Sequence, residues 1–265
     1  MIKMYIVDAF TDELFKGNPA AVCFVNEWPS ATLMKKIAQE NRFSETAFSI
    51  RRDDSHYDLR WFTPGGEIDL CGHATLATAF VIFQTAAPLE TTTITFQTQQ
   101  SGKLLVTKQD DQYEMEFPSY DLKAVPVTAA MTAAFRATPQ KAYLGRDLLC
   151  VFDDPQTIIN MQPDQAKLAQ LDGLLQNVTA PGQQYDCVSR SFAPKLAVPE
   201  DPVCGSGHCH IIPYWARRLG KKQLVAYQAS PRSGILYCTY AGPVTKLAGQ
   251  AVLYSSGQLN LSAIN

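Results

Sequence analysis

The sequence predicts an α+β protein with two similar halves, each built from strands around a buried helix. Three observations lead to this prediction: a motif that recurs at half the chain length, many short strand-like segments, and two apolar segments that both begin with Cys-Gly. A chain of 265 residues also suits two domains of about 130 residues each.

The recurring motif has the pattern R-x-F-[T/A]-P, then a short loop, then E-x-x-x-C-G. Its first copy runs from Arg60 to Gly72 and its second from Arg190 to Gly205, and the second loop is three residues longer. Solenoid repeats recur at about 20–50 residues, whereas this repeat recurs at half the chain. We therefore expect duplication of a whole domain.

Strands are predicted where β-branched and aromatic residues cluster or alternate with polar ones. In the first half they are 4–10, 46–50, 57–62, 92–97, 103–107 and 113–117. In the second half they are 148–152, 187–192, 223–228, 235–240, 250–253 and 258–262. The boundary between the halves is expected within 119–138, where prolines interrupt an Ala/Thr-rich stretch.

Helices are predicted where apolar residues recur at helical spacing and where residues typical of helix ends lie beside them. A surface helix at 30–41 begins at Ser30, and a short one at 164–171 begins at Asp164. The segment 72–84 is apolar nearly all round, so a helix there has to be buried. The matching helix is 205–219, and the glycine that follows is a common C-terminal stop.

Composition limits the class of partner. The net charge is −2 and no run of Lys or Arg stands out, so nucleic acid and membrane are not expected partners. The first residues lack the pattern of a signal peptide, and no apolar run is long enough to span a bilayer. Seven cysteines without an export signal indicate reduced thiols. We therefore expect a cytoplasmic protein that acts on a small molecule.

Both Cys-Gly pairs could serve chemistry at a helix start. Gly72 and Gly205 would let backbone approach a ligand closely. The free N–H groups at a helix N-terminus favour a carboxylate or a developing negative charge. Two such ends across a cleft would hold a small carboxylate substrate. The alternative is that both glycines serve only tight packing of helix against strand.

Proton carriers lie beside these helix starts. Asp201 precedes a proline just before the second helix, and His73 follows the first Cys-Gly. Glu45 interrupts a strand-like run, and desolvation there would favour its neutral form, which suits a general acid/base. Each also has a plain structural interpretation, as a surface or capping carboxylate or as a core histidine.

A metal site is not predicted. Cys204 and His208 could share a helical face, but Cys209 and His210 point elsewhere, and no second pair completes a tetrahedral set. The Gly-Ser-Gly at 205–207 matches neither of the common nucleotide-binding motifs.

Five blocks of sequence, taken in order, resemble the phenazine-biosynthesis PhzF-like family. They begin at Asp8, Ser44, Leu70, Arg190 and Glu200 and read DAFT with FKGNPAAV, SETAF, LCGHAT, RSFAP and EDPVCGS. The resemblance implies a diaminopimelate-epimerase-like fold, in which two pseudo-symmetric domains each wrap a curved, mostly antiparallel sheet around a central helix. The expected domains are 1–120, joined by a C-terminal strand at 256–265, and 121–255.

The resemblance also implies a cofactor-independent isomerase, often a homodimer, that needs no metal, nicotinamide or pyridoxal phosphate. Its catalytic glutamate corresponds to Glu45, with His73 and Asp201 as supporting catalytic groups. Glu45 would carry a proton between carbons of a small carboxylate in the cleft between the domains. The implied substrate-binding residues are Asn18, Gly72, Gly205 and Ser206.

One departure keeps an alternative open. PhzF-like proteins usually have Thr where this chain has Cys204, and related epimerases and racemases use two cysteines at these helix starts. Cys71 and Cys204 are therefore alternative catalytic thiols of an amino-acid racemase or epimerase, because a helix N-terminus lowers a thiol pKa. A small-molecule binding protein that keeps the fold without turnover is a second alternative.

Overall fold

A computed structural model describes residues 1–261 and divides into two compact units. The first unit comprises Met1–Glu116 and the described residues from Ala248 onward, and the second comprises Phe117–Leu247. Strands and helices are numbered below in chain order.

The first unit holds two helices, and its last strand comes from the end of the chain. Its elements are β1 (Ile2–Ala9), β2 (Asn18–Phe24), α1 (Ala31–Asn41), β3 (Thr46–Arg51), β4 (His56–Thr63), β5 (Gly66–Ile68), α2 (Gly72–Thr85), β6 (Thr93–Thr98), β7 (Lys103–Gln109), β8 (Gln112–Pro118), which reaches the division, and β18 (Ala251–Leu259).

The second unit repeats this arrangement with more short helices. Its elements are β9 (Lys123–Val125), α3 (Ala129–Phe135), β10 (Lys141–Leu144), β11 (Leu148–Val151), α4 (Pro155–Ile159), α5 (Gln165–Leu168), β12 (Gln176–Pro181), β13 (Cys187–Ala193), a 3-10 turn (Pro194–Leu196), β14 (Val198–Asp201), α6 (Gly205–Leu219), β15 (Gln223–Gln228), β16 (Gly234–Ala241) and β17 (Val244–Gly249).

Strand pairing is the same in both units. Antiparallel pairs predominate: β1 with β2 and β18, β3 with β4, and β6 with β7 in the first unit, and β10 with β11, β12 with β13, and β15 with β16 in the second. Parallel pairs join β2 to β3 and β4 to β6, and β11 to β12 and β13 to β15. Parallel neighbours need a crossover, and helices supply it at matching places.

Helix α2 is buried nearly all round, as its apolar sequence predicts. It packs against β1, β2, β3, β7 and β18, and nine of its residues are buried. Two of these are threonines, whose hydroxyls would be costly inside a core without partners. Thr75 and Thr78 donate to the carbonyl oxygens of Cys71 and Ala74 at 2.6 and 2.7 Å.

Helix α6 tolerates an internal proline because a neighbouring segment compensates for it. Pro213 has no N–H to donate, so the carbonyl oxygen of Cys209, one turn earlier, loses its helical partner. The backbone N–H of Tyr120 donates to that oxygen at 3.0 Å. The helix ends at Gly220, whose φ of 64° is left-handed.

Several predicted elements differ from the structure. The predicted strands 250–253 and 258–262 are a single strand, β18, because pairing with β1 continues through a bulge at Ile6/Val7. Residue 262 and the end of the predicted strand 256–265 lie outside the described residues. The helix predicted at 164–171 is shorter, at Gln165–Leu168, although Asp164 caps it as expected. The elements that were not predicted are strands β2, β5, β9, β10, β12, β14 and β17 and helices α3 and α4.

Among residues 1–261, no helix has both the length and the apolarity needed to cross a membrane. All seven cysteines are free thiols, and all are buried.

Candidate active site

The first helix start brings four of the predicted site residues together. Glu45 lies just before β3, and its Oε2 is 3.1 Å from Nε2 of His73, the second residue of α2. The side-chain amide nitrogen of Asn18, at the start of β2, is 3.1 Å from Nδ1 of the same ring. Sγ of Cys71 is 3.5 Å from Nδ1, and Oγ of Ser44 is 3.5 Å from Nε2.

Glu45 and His73 form a buried ion pair, with side chains 16% and 7% exposed. Burial by itself would raise the pKa of Glu45, but the charge and hydrogen bond of His73 outweigh it, so the pKa is lowered from 4.5. Burial would lower the pKa of His73, but Cys71 and Glu45 raise it well above 6.5. The expectation that desolvation favours neutral Glu45 is therefore wrong, because it omitted this partner.

The surroundings of Cys71 favour its protonated thiol form over the thiolate. Cys71 is the N-cap of α2, yet its side chain makes no capping hydrogen bond. Burial, and then the charge of Glu45, raise its pKa above 9.0. The predicted lowering of this pKa by the helix N-terminus is wrong, since burial and a carboxylate oppose it.

The second helix start holds Cys204, Gly205 and Ser206 in the second unit. Sγ of Cys204 accepts a hydrogen bond from the backbone N–H of Gly207 at 3.3 Å and lies 3.5 Å from Oγ of Ser206. Burial, and then the charge of Asp201, raise the pKa of the Cys204 thiol well above 9.0. The expected thiolate character is therefore wrong at this site as well.

Gly205 is not required by packing. A Cβ built on it would meet only Cδ1 of Leu247, at an ordinary 3.6 Å. A Cβ on Gly207 would come within 2.6 Å of Oδ1 of Asn177 and 2.8 Å of Oγ of Ser191, so these two buried side chains would have to shift. Packing thus explains Gly207, which the motif analysis did not single out, and leaves room beside Gly205 for a ligand.

The repeated Arg and Glu of the motif are explained by two ion pairs. Arg60 donates from Nε and one terminal nitrogen to the two carboxylate oxygens of Glu67, at 2.7 and 2.6 Å. Arg190 makes the same forked contact with Glu200, at 2.7 Å for both bonds. Each pair joins the two strands that come before a Cys-Gly helix start. The motif therefore positions the first turn of each central helix.

Gln228 fixes the backbone between Asp201 and Cys204. It is fully buried at the end of β15. Its Nε2 donates to the carbonyl oxygen of Asp201 at 2.6 Å, and its Oε1 accepts from the backbone N–H of Cys204 at 2.8 Å. The second predicted carboxylate and the helix start are thus held by one side chain, which no sequence signal indicated.

A buried polar network supports Ser206 from behind. Arg146 makes a forked contact with Asp147 at 3.0 and 2.9 Å. The backbone N–H of Asp147 donates to Nε2 of His210 at 3.2 Å, and Nδ1 of that ring donates to the carbonyl oxygen of Ser206 at 3.1 Å. Burial lowers the pKa of His210, which suits this neutral tautomer. Tyr120 stacks on the ring at 4.3 Å.

His208 is committed to hydrogen bonds within the second unit. Its Nδ1 is 2.7 Å from the carbonyl oxygen of Cys204, and its Nε2 is 3.2 Å from Oγ of Ser189. Burial lowers its pKa to about 4. A group that could hold a metal ion does occur elsewhere among residues 1–261: donor atoms of Glu45, Cys71 and His73 lie within 4.8 Å of one another.

The two helix starts differ at one decisive position. Strand register pairs Thr46 with Phe62 in the first unit and Gln176 with Phe192 in the second, and the two phenylalanines match in the repeat. The residue before Thr46 is Glu45, so its counterpart is Leu175. Leu175 is 4% exposed and packs in an apolar cluster with Cys204. The second helix start therefore lacks the carboxylate of the first.

Comparisons with known proteins agree with this architecture. The family model described as phenazine biosynthesis-like protein matches residues 7–257. A Pseudomonas aeruginosa protein named as an uncharacterized isomerase is 43% identical over 263 residues, covering 98% of this chain and 99% of that protein. A PhzF-family crystal structure from Enterococcus faecalis is 47% identical with a TM-score of 0.95, covering 98% of this chain and 99% of that one.

A more distant likeness concerns the fold alone. A hydroxyproline epimerase from Agrobacterium vitis is 9% identical, with a TM-score of 0.68 over 100% of this chain and 92% of that one. The fold is therefore the predicted epimerase-like α+β fold, and the class of protein is an isomerase. The chain belongs to the phenazine biosynthesis-like PhzF family.

Proposed function

We propose that this isomerase moves a proton between two carbons of a small carboxylate substrate, with Glu45 as the general acid and base. The observation that carries the proposal is the buried contact of 3.1 Å between Glu45 and His73 at the first turn of α2. A carboxylate with a lowered pKa is ionised at neutral pH and ready to accept a proton.

The chemistry needs only groups of this chain. Glu45 takes a proton from a carbon beside a carbonyl or carboxyl group, and the electron pair moves into an enolate-like intermediate. Backbone N–H groups at the start of α2, next to Gly72, favour that developing negative charge. Glu45 then returns the proton to a second carbon. His73 orients the carboxylate, and Asn18 holds the imidazole.

The second helix start is proposed to hold the substrate. Gly205 leaves room for a ligand, and Ser206 offers a hydroxyl. The ion pair of Arg190 with Glu200 and the amide of Gln228 hold the segment that carries Asp201. We propose that Asp201 and Ser206 orient and polarise the substrate.

The test compares wild type with Glu45→Gln on a panel of small amino acids and unsaturated cyclic carboxylates. General acid/base groups contribute about 10²–10⁴-fold, so turnover of a proven substrate should fall by that factor. Glu40→Gln makes the same change on an exposed turn of α1 and should leave turnover unchanged. Full turnover by Glu45→Gln would exclude Glu45 as the acid/base.

A two-thiol racemase is the second candidate, since a cysteine caps each central helix. Two features disfavour it: burial raises the pKa of both thiols, and Leu175 stands beside Cys204 where the first helix start has Glu45. Cys204→Ser should abolish a two-thiol reaction and only reduce one driven by Glu45. A binding protein without turnover would retain ligand and exchange no proton with any substrate.

A further inference from the structure

We propose that Glu45, Cys71 and His73 bind a thiophilic divalent cation such as Zn²⁺, and that the bound cation inhibits the isomerase. The binding stands on the geometry of these side chains alone. The inhibition rests on the proposed function, because it requires Glu45 to be the acid/base.

The donor atoms already have nearly the spacing that a metal needs. Nε2 of His73 is 3.1 Å from Oε2 of Glu45 and 3.9 Å from Sγ of Cys71. With zinc bonds of about 2.0–2.3 Å, these separations correspond to angles at the metal of about 100° and 125°, which bracket the tetrahedral value. The three donors lie within 4.8 Å of one another. Sγ of Cys71 is nearer to Nδ1 of His73, at 3.5 Å, than to Nε2, so the Cys71 side chain has to rotate toward Nε2 to complete the set.

The types of donor select the class of cation. One sulfur, one nitrogen and one carboxylate oxygen suit Zn²⁺ or Cd²⁺, whereas Mg²⁺ and Ca²⁺ prefer oxygen ligands only. Binding displaces one proton from the Cys71 thiol and one from the His73 imidazolium. The thiolate and the Glu45 carboxylate then balance the two positive charges of the cation.

The surroundings provide a support for the imidazole and an open coordination position. Nδ1 of His73 lies 3.1 Å from the Asn18 amide, and a partner at the far nitrogen is what metal-ligating histidines usually have. Glu45 keeps 16% of its side chain exposed, but its Oε2 is buried, so a side-chain movement has to admit the cation. Water, or the Ser44 hydroxyl 3.5 Å from Nε2, can take the fourth position.

The second helix start supplies a matched control. Cys204 is also a buried N-cap, but its sulfur accepts from the Gly207 backbone, and the ring of His208 faces a carbonyl oxygen and Ser189. Leu175 stands where the first site has Glu45. Cys204 thus has the same place on its helix without the imidazole and glutamate ligands of the first helix start.

The experiment titrates Cd²⁺ into full-length protein that has been dialysed against a chelator, and follows the thiolate-to-cadmium absorption in the ultraviolet. We expect one equivalent to bind wild type, the band to disappear in Cys71→Ser, and the band to persist in Cys204→Ser. His73→Gln should weaken the affinity at least about tenfold. Circular dichroism checks that each variant is folded.

Two results would overturn the binding site: no band in wild type at saturating Cd²⁺, or a full band in folded Cys71→Ser. Inhibition is measured separately, as the loss of proton exchange on a proven substrate when Zn²⁺ is added and its recovery with EDTA. Full exchange by zinc-saturated wild type would overturn the inhibition and leave the binding result intact. The Glu45→Gln experiment without metal tests the proposed function independently.

Discussion

Replacing Glu45 with Gln should lower the pKa of His73, because it removes a negative charge and keeps the side-chain shape. In wild type the two side chains meet at 3.1 Å. Burial lowers the pKa of His73, whereas Cys71 and Glu45 raise it well above 6.5. An opposite charge this close shifts a pKa by about 1–3 pH units, or about 1.4–4 kcal/mol. We therefore expect a decrease of that size.

The assay is the titration of imidazole nitrogens by NMR. The chain has four histidines, and the His73 signals are assigned by their loss in His73→Asn. Glu40→Gln, on the exposed face of α1, should leave the His73 titration unchanged. An unchanged pKa of His73 in Glu45→Gln would refute the reasoning, since the carboxylate would then not be the partner that raises it.

The same pair predicts how stability depends on pH. The lowered pKa of Glu45 contributes stability that is present above 4.5 and is lost as pH falls through the folded-state value. The raised pKa of His73 contributes stability that is present below 6.5 and is lost as pH rises through the folded-state value. The difference in unfolding free energy between wild type and Glu45→Gln should therefore be largest between these two pH values, as urea unfolding at several pH values would show.

Three further predictions concern the second helix start. Gly207→Ala should lower the free energy of unfolding by about 1–3 kcal/mol, because the added methyl group overpacks this part of the core. Gly205→Ala should stay within about 0.5 kcal/mol of wild type. Urea unfolding measures both values, and equal effects would contradict the packing argument. Arg190→Met should cost about 3–5 kcal/mol, since it leaves Glu200 half-buried without its cation, and a stable variant would show that the motif does not position this strand pair. Gln228→Met should raise KM more than it lowers kcat on a proven substrate, and an unchanged KM would remove Gln228 from the positioning residues.

Local pattern was enough to predict the central helices. The apolar run 72–84 predicted that a helix there would be buried, and the repeat predicted a matching helix at 205–219. Strands β2 and β12 were not predicted; each has a proline near one end, Pro19 and Pro181, and proline weakens a local strand signal. Tertiary pairing overrides such local signals.

The candidate site was predictable only in part. The family resemblance placed Glu45 and His73 in one site, and the structure brings them into contact. The direction of the Glu45 pKa was wrong, because a sequence shows burial more readily than it shows a partner 28 residues away. The support of Ser206 by Asp147 and His210 was missed, since these side chains meet only through the tertiary structure.

The most direct test of the central claim follows a deuterium label from one substrate carbon to the other. A panel of small amino acids and unsaturated cyclic carboxylates, labelled at the acidic carbon, is incubated with wild type, Glu45→Gln and Cys204→Ser. A single buried carboxylate that takes and returns the proton should carry part of the label to the product in wild type and Cys204→Ser, with no exchange in Glu45→Gln. Exchange that persists in Glu45→Gln and disappears in Cys204→Ser would contradict the account and assign the chemistry to the thiols.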